Sequence, residues 1–517
     1  MNPSRLPTAI RAHAFHILAA LLVIAYLVVS WREAHAYLEY DEAYNLQVIE
    51  SLASGNGYST FGALQNAEAK PFDPYISTGP VMLLPGVLTW LAGGGYSWMM
   101  RLVPLGFFTL LVVCLFGFTR QFWGKWCGLA VAATPFLLIV GRQDLISIGL
   151  VPGRYIGEFA ALGLLVAAAW AGANNRIGLA ALLAGLSCQT KSVFVVGGAL
   201  LLAVVWIHDC VQNHRPDWKG LGRGVLGAVA PTLVFEVYRL ISLGSMSAYR
   251  ASIDELMVFL DGQSGDPVFR PERFGVMAEI LTIPGMILVV VATLFVALRI
   301  LSASRIPAAA GIDAAATDQT KSGSSSGEAL VDAQPAPDRA LATWCWAALV
   351  GYGLFATWSW IWQATQASPR QTVPLIMLLH ATCVILVFRM GWPRRWWAPV
   401  LAAIMVALAI GQGIRAVGYL GADEALDDQR EAAKVILASG TGALPVYGAW
   451  FQLPEYQLLT GIHHENRPGV DAPTIDVYTD LMAASMLEEE TPDAMGFLSQ
   501  CRGAVLYESS TVVVCRR

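Results

Sequence analysis

The sequence predicts a polytopic α-helical membrane protein that ends in a small α/β domain. Three observations lead there. Of its 517 residues, 56% are hydrophobic and only 14% are charged, whereas a soluble globular domain carries about 25% charged residues. The apolar residues gather into repeated runs long enough to cross a bilayer core, which takes about 20 residues of helix. From about residue 420 the chain becomes polar and strand-like. A net charge of -5 with no strongly basic tract argues against nucleic acid as a partner. Seventeen tryptophans suit the aromatic belts of a membrane interface.

Apolar runs begin near residues 13, 101, 126, 155, 177, 192, 224, 280, 341, 371 and 396. They predict about eleven transmembrane helices, the pair over 177 to 207 being short. The first run, Ala14 to Trp31, follows Arg5 and Arg11, lacks a small-residue cleavage site and continues into Arg32 and Glu33. It reads as a retained span rather than a signal peptide. With the N-terminus in the cytoplasm, an odd count puts the C-terminal tail outside. The inner loops then carry Arg120 and Lys125, Arg176, Arg215, Lys219 and Arg223, Arg299 and Arg305, and Arg389, Arg394 and Arg395, with few acids. The outer loops hold basic residues too, among them Arg142, Arg154, Arg250, Arg270, Arg273 and Arg370, set among acids as around an anionic ligand.

The first outer loop, residues 34 to 100, has structure of its own. Asp41 to Ala53 has a helical period, with Leu46, Ile49 and Leu52 on one side and Asp41 and Asn45 one turn apart on another. Ser54-Gly55-Asn56-Gly57 ends it. A second apolar piece runs from Thr78-Gly79-Pro80 to Leu91 and stops at Gly93-Gly94-Gly95. It is short for a span and is predicted to lie in the interface; a short span over 78 to 94 is the alternative.

Residues 303 to 339 are dominated by Ala, Ser, Gly, Asp and Pro. Such a stretch cannot bury a core and is predicted to be a disordered cytoplasmic linker. It separates an N-terminal membrane block, 1 to 302, from C-terminal membrane helices, 340 to 417. Residues 418 to 517 form the extracytoplasmic α/β domain. There, Asp423 to Ser439 predicts a helix with Ala432, Val435 and Ile436 on one face; Leu444 to Tyr447 predicts a strand, and Ala504 to Tyr507 with Thr511 to Val514 a closing hairpin.

Six of the eight cysteines, at 114, 127, 188, 210, 345 and 383, sit in or beside apolar runs as small fillers. Cys501 and Cys515 flank the terminal hairpin. They form a disulfide if the tail lies in an oxidising compartment and are otherwise two free thiols. No metal-spaced cluster such as CxxC or HExxH occurs. His463-His464-Glu465 is a weak metal pair that reads more simply as an exposed loop.

Four groups carry candidate chemistry. Asp41 and Glu42 open a polar helix against a bilayer, where carboxylates are costly unless solvated, paired or used. They are either helix-start acids complementing the dipole or, as Asp41 reads best, a catalytic base. Gly141-Arg142-Gln143-Asp144 and Gly153-Arg154-Tyr155-Ile156-Gly157-Glu158 bring further charge to the second outer loop. Glu158 starts an apolar helix, and Arg154, one turn earlier, either neutralises it or serves a phosphate while Glu158 stands as a second acid opposite Asp41. Lys191 interrupts two apolar runs, snorkelling or holding an anion. Arg370, in Ser368-Pro369-Arg370-Gln371, opens a later span. Lys191 and Arg370 together predict a phosphate clamp at headgroup level.

The ordered set resembles the glycosyltransferases of the GT-C fold, in particular the protein O-mannosyltransferase and aminoarabinose transferase group. The features in order are Asp41-Glu42, a proline-containing second interfacial segment, Gly157-Glu158, Thr190-Lys191, Pro369-Arg370 and a small extracytoplasmic tail. The resemblance implies a bacterial inner-membrane enzyme that takes a sugar from a polyprenyl-phosphate donor to a hydroxyl of a lipid, glycan or protein acceptor on the outer face, with inversion. It implies Asp41 as general base, Glu42 and Glu158 as orienting acids, and Arg154, Lys191 and Arg370 as donor-phosphate ligands. Tyr44, Asn45 and Asp144 would line the acceptor or sugar. The resemblance implies no certain cofactor and leaves a divalent cation open. One departure stands out. Where aminoarabinose transferases have Glu-Lys-Pro-Pro, this chain reads Ile76-Ser77-Thr78-Gly79-Pro80, which argues against that donor sugar. The rival readings are a transporter or flippase of lipid-linked glycans and a non-catalytic membrane assembly subunit.

Overall fold

The computed structural model describes residues 8–60, 70–138, 152–263, 281, 283–303, 340–341, 343–344, 350–355, 372–389, 397–419, 423–439, 446–448, 453–462, 464–465, 474–479, 501, 503–509 and 512–516. Most of the expected linker, with Arg142, Asp144, His463 and Arg370, lies outside the described residues.

Among the described residues, five helices are long and apolar enough to cross a membrane: His13–Ala34, Trp98–Trp123, Ser192–Asn213, Trp218–Leu243 and Trp397–Val417. Shorter apolar helices accompany them. In chain order the helices of the membrane part are α1 (Thr8–Ala34), α2 (Tyr40–Ala53), α3 (Pro80–Gly93), α4 (Leu102–Trp123), α5 (Lys125–Ala132), α6 (Glu158–Ala173), α7 (Ile177–Thr190), α8 (Val195–Asn213), α9 (Trp218–Leu243), α10 (Met246–Gln263), α11 (Ile283–Ala303), α12 (Val373–Arg389) and α13 (Trp397–Tyr419). Their main core joins α4, α5, α6, α12 and α13, with Phe108 packed edge-to-face on Phe136 and Phe159 at 6.3 and 5.4 Å. Large apolar side chains on the outer faces of α1, α3 and α9, such as Leu27, Leu88 and Val234, are exposed, the pattern of helices that face lipid.

Two expectations need correction. The span expected to begin near 126 is helical only to Ala132 and then tightens into a 3-10 turn, Thr134–Leu137. Pro135 lies in that turn, and having no backbone N–H it cannot make the helical hydrogen bond to the Val131 carbonyl. The expected one-sided helix over Asp41 to Ala53 is present as α2, but Glu42 to Ile49 are buried on every side. Asn45 is covered by Thr78 and Tyr155, and Gln47 by Gln457 of the C-terminal domain.

That domain contains α14 (Asp423–Ala438), α15 (Leu453–Thr460) and the strands β1 (Val446–Gly448), β2 (His464–Glu465), β3 (Ile475–Thr479), β4 (Ala504–Glu508) and β5 (Val512–Arg516). The sheet order is β2-β1-β3-β5-β4, parallel among β2, β1 and β3 and antiparallel for β3–β5 and β5–β4. The expected terminal hairpin is β4–β5, and Cys501 and Cys515 are disulfide-bonded across it. Ala432 and Ile436 of α14 pack on Val446, Ile475, Val477 and Val514, while the expected Val435 is only half-buried. A separate apolar cluster joins Leu426 and Leu458 of this domain to Leu38, Ala43, Leu46, Met82 and Met100. The domain is thereby seated on the first loop at the same end of the bundle as Asp41.

Candidate active site at the first-loop end of the bundle

Two arginines frame the site. Arg101, where the chain enters α4, is wholly buried, and all five of its N–H groups are used. Nε and Nη2 donate to the two carboxylate oxygens of Glu42 at 2.9 and 2.7 Å. The remaining donors reach the carbonyls of Glu33, Ala36 (2.7 Å) and Tyr37 (2.9 Å). Arg154 donates from Nε to Glu33 Oε1 at 3.1 Å and from Nη1 to Glu39 Oε2 at 2.6 Å, and its guanidinium stacks 4.6 Å over the Tyr37 ring. These contacts tie the end of α1, the start of α2, the start of α4 and the turn before α6 into one block.

Of the two readings of Arg154, a pair with Glu158 is not formed, and its guanidinium is instead engaged by Glu33 and Glu39. Residues 152 to 157 are turns, and Gly157 takes a left-handed φ of +87° before the helix starts at Glu158. The helical spacing that would align the two side chains is therefore absent. Glu158 faces Lys191 instead, with Nζ 3.8 Å from Oε1.

Lys191 ends α7 in an extended conformation, and its backbone pairs in antiparallel fashion with Thr78. The Gly79 N–H donates to the Thr190 carbonyl at 2.9 Å. A Cβ at Gly79 would fall 1.6 Å from the Gln189 carbonyl oxygen, so only glycine allows the two segments to meet. Held there, the Lys191 ammonium donates to Ser77 Oγ at 3.1 Å and Thr78 Oγ1 at 3.2 Å. Asn45 joins the cluster by donating to Thr78 Oγ1 at 3.1 Å and to the Tyr155 carbonyl. Tyr44 donates to Asp73 Oδ2 at 3.0 Å. Asp41 is half-buried on the first turn of α2, one turn before Asn45.

The C-terminal domain closes one side. Gln47 and Gln457 hydrogen-bond at 3.2 Å. Glu455 is 4% exposed. Burial pushes its carboxyl well above the usual range, and Glu39 and Glu42 push it further.

The geometry thus brings together Asn45, Glu158 and Lys191 around Thr78, with Asp41 one helical turn before Asn45 on α2. It commits Glu42 and Arg154 to the frame and Tyr44 to Asp73. The partners Arg101, Glu33, Glu39, Ser77 and Thr78 were not singled out from the sequence. The signals were an arginine at the head of an apolar run and a glutamate at the end of the first span. Among the described residues no three His, Cys, Asp or Glu side chains are placed to hold a metal ion. The site offers a half-buried carboxylate on one helix and an ammonium flanked by two hydroxyls on the facing segment. Such a pair can take a proton from one group and hold an anion at another.

No family model and no curated protein matches the sequence. Solved structures do. ArnT from Cupriavidus metallidurans bound to undecaprenyl phosphate is 13% identical, with a TM-score of 0.58 over 96% of this chain and 98% of that one. The same protein in the apo state is 12% identical, with a TM-score of 0.56 over the same shares. The Archaeoglobus fulgidus oligosaccharyltransferase is 14% identical, with a TM-score of 0.42 over 87% of this chain and 62% of that one. The match to ArnT runs over nearly the full length of both chains, from the membrane helices to the C-terminal domain, and the fold of this protein is the GT-C fold.

Proposed function

We propose that the chain is an inverting glycosyltransferase that moves a sugar from a polyprenyl-phosphate donor to an acceptor hydroxyl. The observation that carries this is the meeting of Lys191, Ser77, Thr78, Glu158 and Asn45 one helical turn from Asp41. Asp41 takes the proton of the acceptor hydroxyl as that oxygen attacks the anomeric carbon. The bond from that carbon to the phosphate oxygen breaks, and polyprenyl phosphate leaves with the electron pair. Phosphate is a competent leaving group, so no general acid is needed, and the Lys191 ammonium offsets its charge. Glu158 and Asn45 orient sugar or acceptor hydroxyls. Glu42 and Arg154 act at one remove, by fixing the start of α2. Arg370 is the second phosphate cation on the argument of its sequence position alone. The ArnT structure bound to undecaprenyl phosphate supports a lipid phosphate as ligand, and the Cys501–Cys515 disulfide supports an oxidising, extracytoplasmic side for the site. A bacterial inner membrane with the N-terminus inside fits both.

The test is to incubate the purified protein in nanodiscs with a labelled polyprenyl-phosphate sugar. Release of polyprenyl phosphate with transfer of label to an acceptor supports the enzyme. Movement of label across a sealed vesicle without cleavage means a transporter, and neither result means an assembly subunit; both overturn the proposal.

A further inference from the structure

We infer that Tyr58 is a positioning residue of the proposed donor site, which fixes the Thr78–Gly79 peptide and thereby sets where the Thr78 hydroxyl meets the Lys191 ammonium. The inference rests on the proposed function for the identity of the ligand, and on separate geometry for the positioning. A peptide unit is planar, so holding both its C=O and its N–H fixes its orientation. The Thr78–Gly79 unit is held in this way. Tyr58 donates its hydroxyl to the Thr78 carbonyl at 2.7 Å, and the Gly79 N–H donates to the Thr190 carbonyl at 2.9 Å. Thr78 is wholly buried, and a buried carbonyl that loses its donor is costly. Threonine is β-branched, which leaves its side chain few orientations on a given backbone. Its Oγ1 therefore follows the peptide. This is the oxygen that accepts from Lys191 at 3.2 Å and from Asn45 at 3.1 Å.

Tyr58 is itself firmly placed. It is buried, its ring stacks on Phe72 at 5.4 Å, and it meets Phe235 of α9 edge-on at 5.1 Å. Its backbone pairs with Phe72, and its carbonyl accepts from the Asp73 N–H at 2.8 Å. Gly57 permits this approach. Its φ is +92°, and a Cβ there would fall 2.3 Å from the Pro71 carbonyl oxygen. The glycines after α2 thus do more than end the helix, because they lay Tyr58 against the segment that leads to Thr78. A phenylalanine would pack in the same space. What tyrosine adds is the bond to the Thr78 carbonyl.

The experiment measures binding of undecaprenyl phosphate to the full chain in nanodiscs for Tyr58→Phe, made in the wild type and in a Thr78→Val background. Thr78→Val keeps the backbone carbonyl and the side-chain shape and removes the hydroxyl. Tyr238→Phe takes a hydroxyl from the same aromatic cluster and is the control. The expected result is that Tyr58→Phe weakens binding about tenfold in the wild type and less than about twofold in Thr78→Val, with no effect of Tyr238→Phe. A tyrosine with a merely structural role would lower thermal stability and leave the affinity of the folded protein unchanged. Unchanged affinity in Tyr58→Phe, or an equal loss in both backgrounds, overturns the positioning and leaves the proposed function standing. Hydrogen exchange on the wild type tests the same point without a variant. The Gly79 amide should exchange as slowly as those of α7, and exchange at the rate of an exposed loop also overturns the positioning. Failure of undecaprenyl phosphate to bind the wild type overturns both readings.

Discussion

Gln429, on α14 of the C-terminal domain, hydrogen-bonds both backbone groups of Leu38. Its Oε1 accepts from the Leu38 N–H at 2.9 Å, and its Nε2 donates to the Leu38 carbonyl at 3.1 Å. Leu38 is wholly buried and stands three residues before Asp41. A primary amide is the side chain that can both accept and donate in this way. The C-terminal domain therefore fixes the backbone that leads into the helix bearing the candidate base. Gln429→Leu keeps the bulk and leaves two buried backbone groups without partners, at a cost of about 1–3 kcal/mol each. The expected outcome is weaker seating of the domain, read as faster hydrogen exchange over residues 38 to 47 with the membrane helices unchanged. Unaltered exchange there would show that the apolar contacts of Leu426 and Leu458 hold the domain by themselves.

The adjacent acids Asp41 and Glu42 are expected to behave in opposite ways. Glu42 and Arg101 form a bidentate pair from which water is excluded. Removing one partner strands a buried charge, which costs about 3–5 kcal/mol. Glu42→Leu and Arg101→Met should each lower thermal stability sharply, and the double variant should recover much of the loss. Asp41→Asn should leave stability near wild type, leave donor binding largely intact and abolish transfer. A Glu42→Leu protein as stable as wild type, or normal turnover by Asp41→Asn, would remove the division of labour drawn between the two.

That division shows where sequence reasoning succeeds and where it stops. The helix from Asp41 to Ala53 is legible because its apolar period and the glycines that end it are local, and so is the terminal hairpin with its flanking cysteines. The Arg101–Glu42 pair is not legible, because it joins residues 59 positions apart and only the packed fold brings them together. For Arg154 and Glu158 the fold decides against one of the two readings the sequence leaves open. Their spacing suits a helix, but Gly157 starts the helix too late for the pair to align. Lys191 was singled out for the cost of a charge between apolar runs. Its partners Ser77 and Thr78 were read only as a departure from a family motif, yet they supply the two hydroxyls that its ammonium contacts.

Glu50, on the last turns of α2, gives a pH signature. Burial raises its carboxyl to about 7, and its Oε2 is buried with no hydrogen-bond partner among the described residues. The unfolded chain releases this proton near the usual value of about 4.3, so between there and about 7 the folded protein binds more protons. Stability contributed by the neutral form is fully present below the lower value and is lost as pH rises through the upper one. Glu50 is only half-buried, and solvent screening reduces the effect to about 1 kcal/mol. Glu50→Gln should match wild type near pH 4, become progressively more stable than it as pH rises, and hold a constant advantage above pH 8. Thermal unfolding across that range reads it, and a constant difference at all pH values would mean that Glu50 does not titrate in the window.

Glu158 and a donor phosphate compete for the same cation. The Glu158 carboxylate stands 3.8 Å from Lys191 Nζ, beyond hydrogen-bond distance, while Ser77 and Thr78 hold the ammonium at 3.1 and 3.2 Å. A phosphate oxygen arriving between the two hydroxyls would gain a charge-assisted hydrogen bond that Glu158 does not make in this geometry. Glu158→Gln removes the competitor and leaves a largely buried ammonium without its counter-ion. The empty protein should therefore be less stable than wild type, and a polyprenyl phosphate should bind about fivefold more tightly, a gain of about 1 kcal/mol. A ligand that binds only the folded state raises stability in proportion to its affinity, so the thermal shift on adding undecaprenyl phosphate should be larger in Glu158→Gln than in wild type and smallest in Lys191→Ala. Because Glu158 is also proposed to orient sugar or acceptor hydroxyls, the same variant should keep the enlarged shift with the bare lipid phosphate but lose turnover with the full donor. A shift in Glu158→Gln no larger than in wild type would place the phosphate away from Lys191.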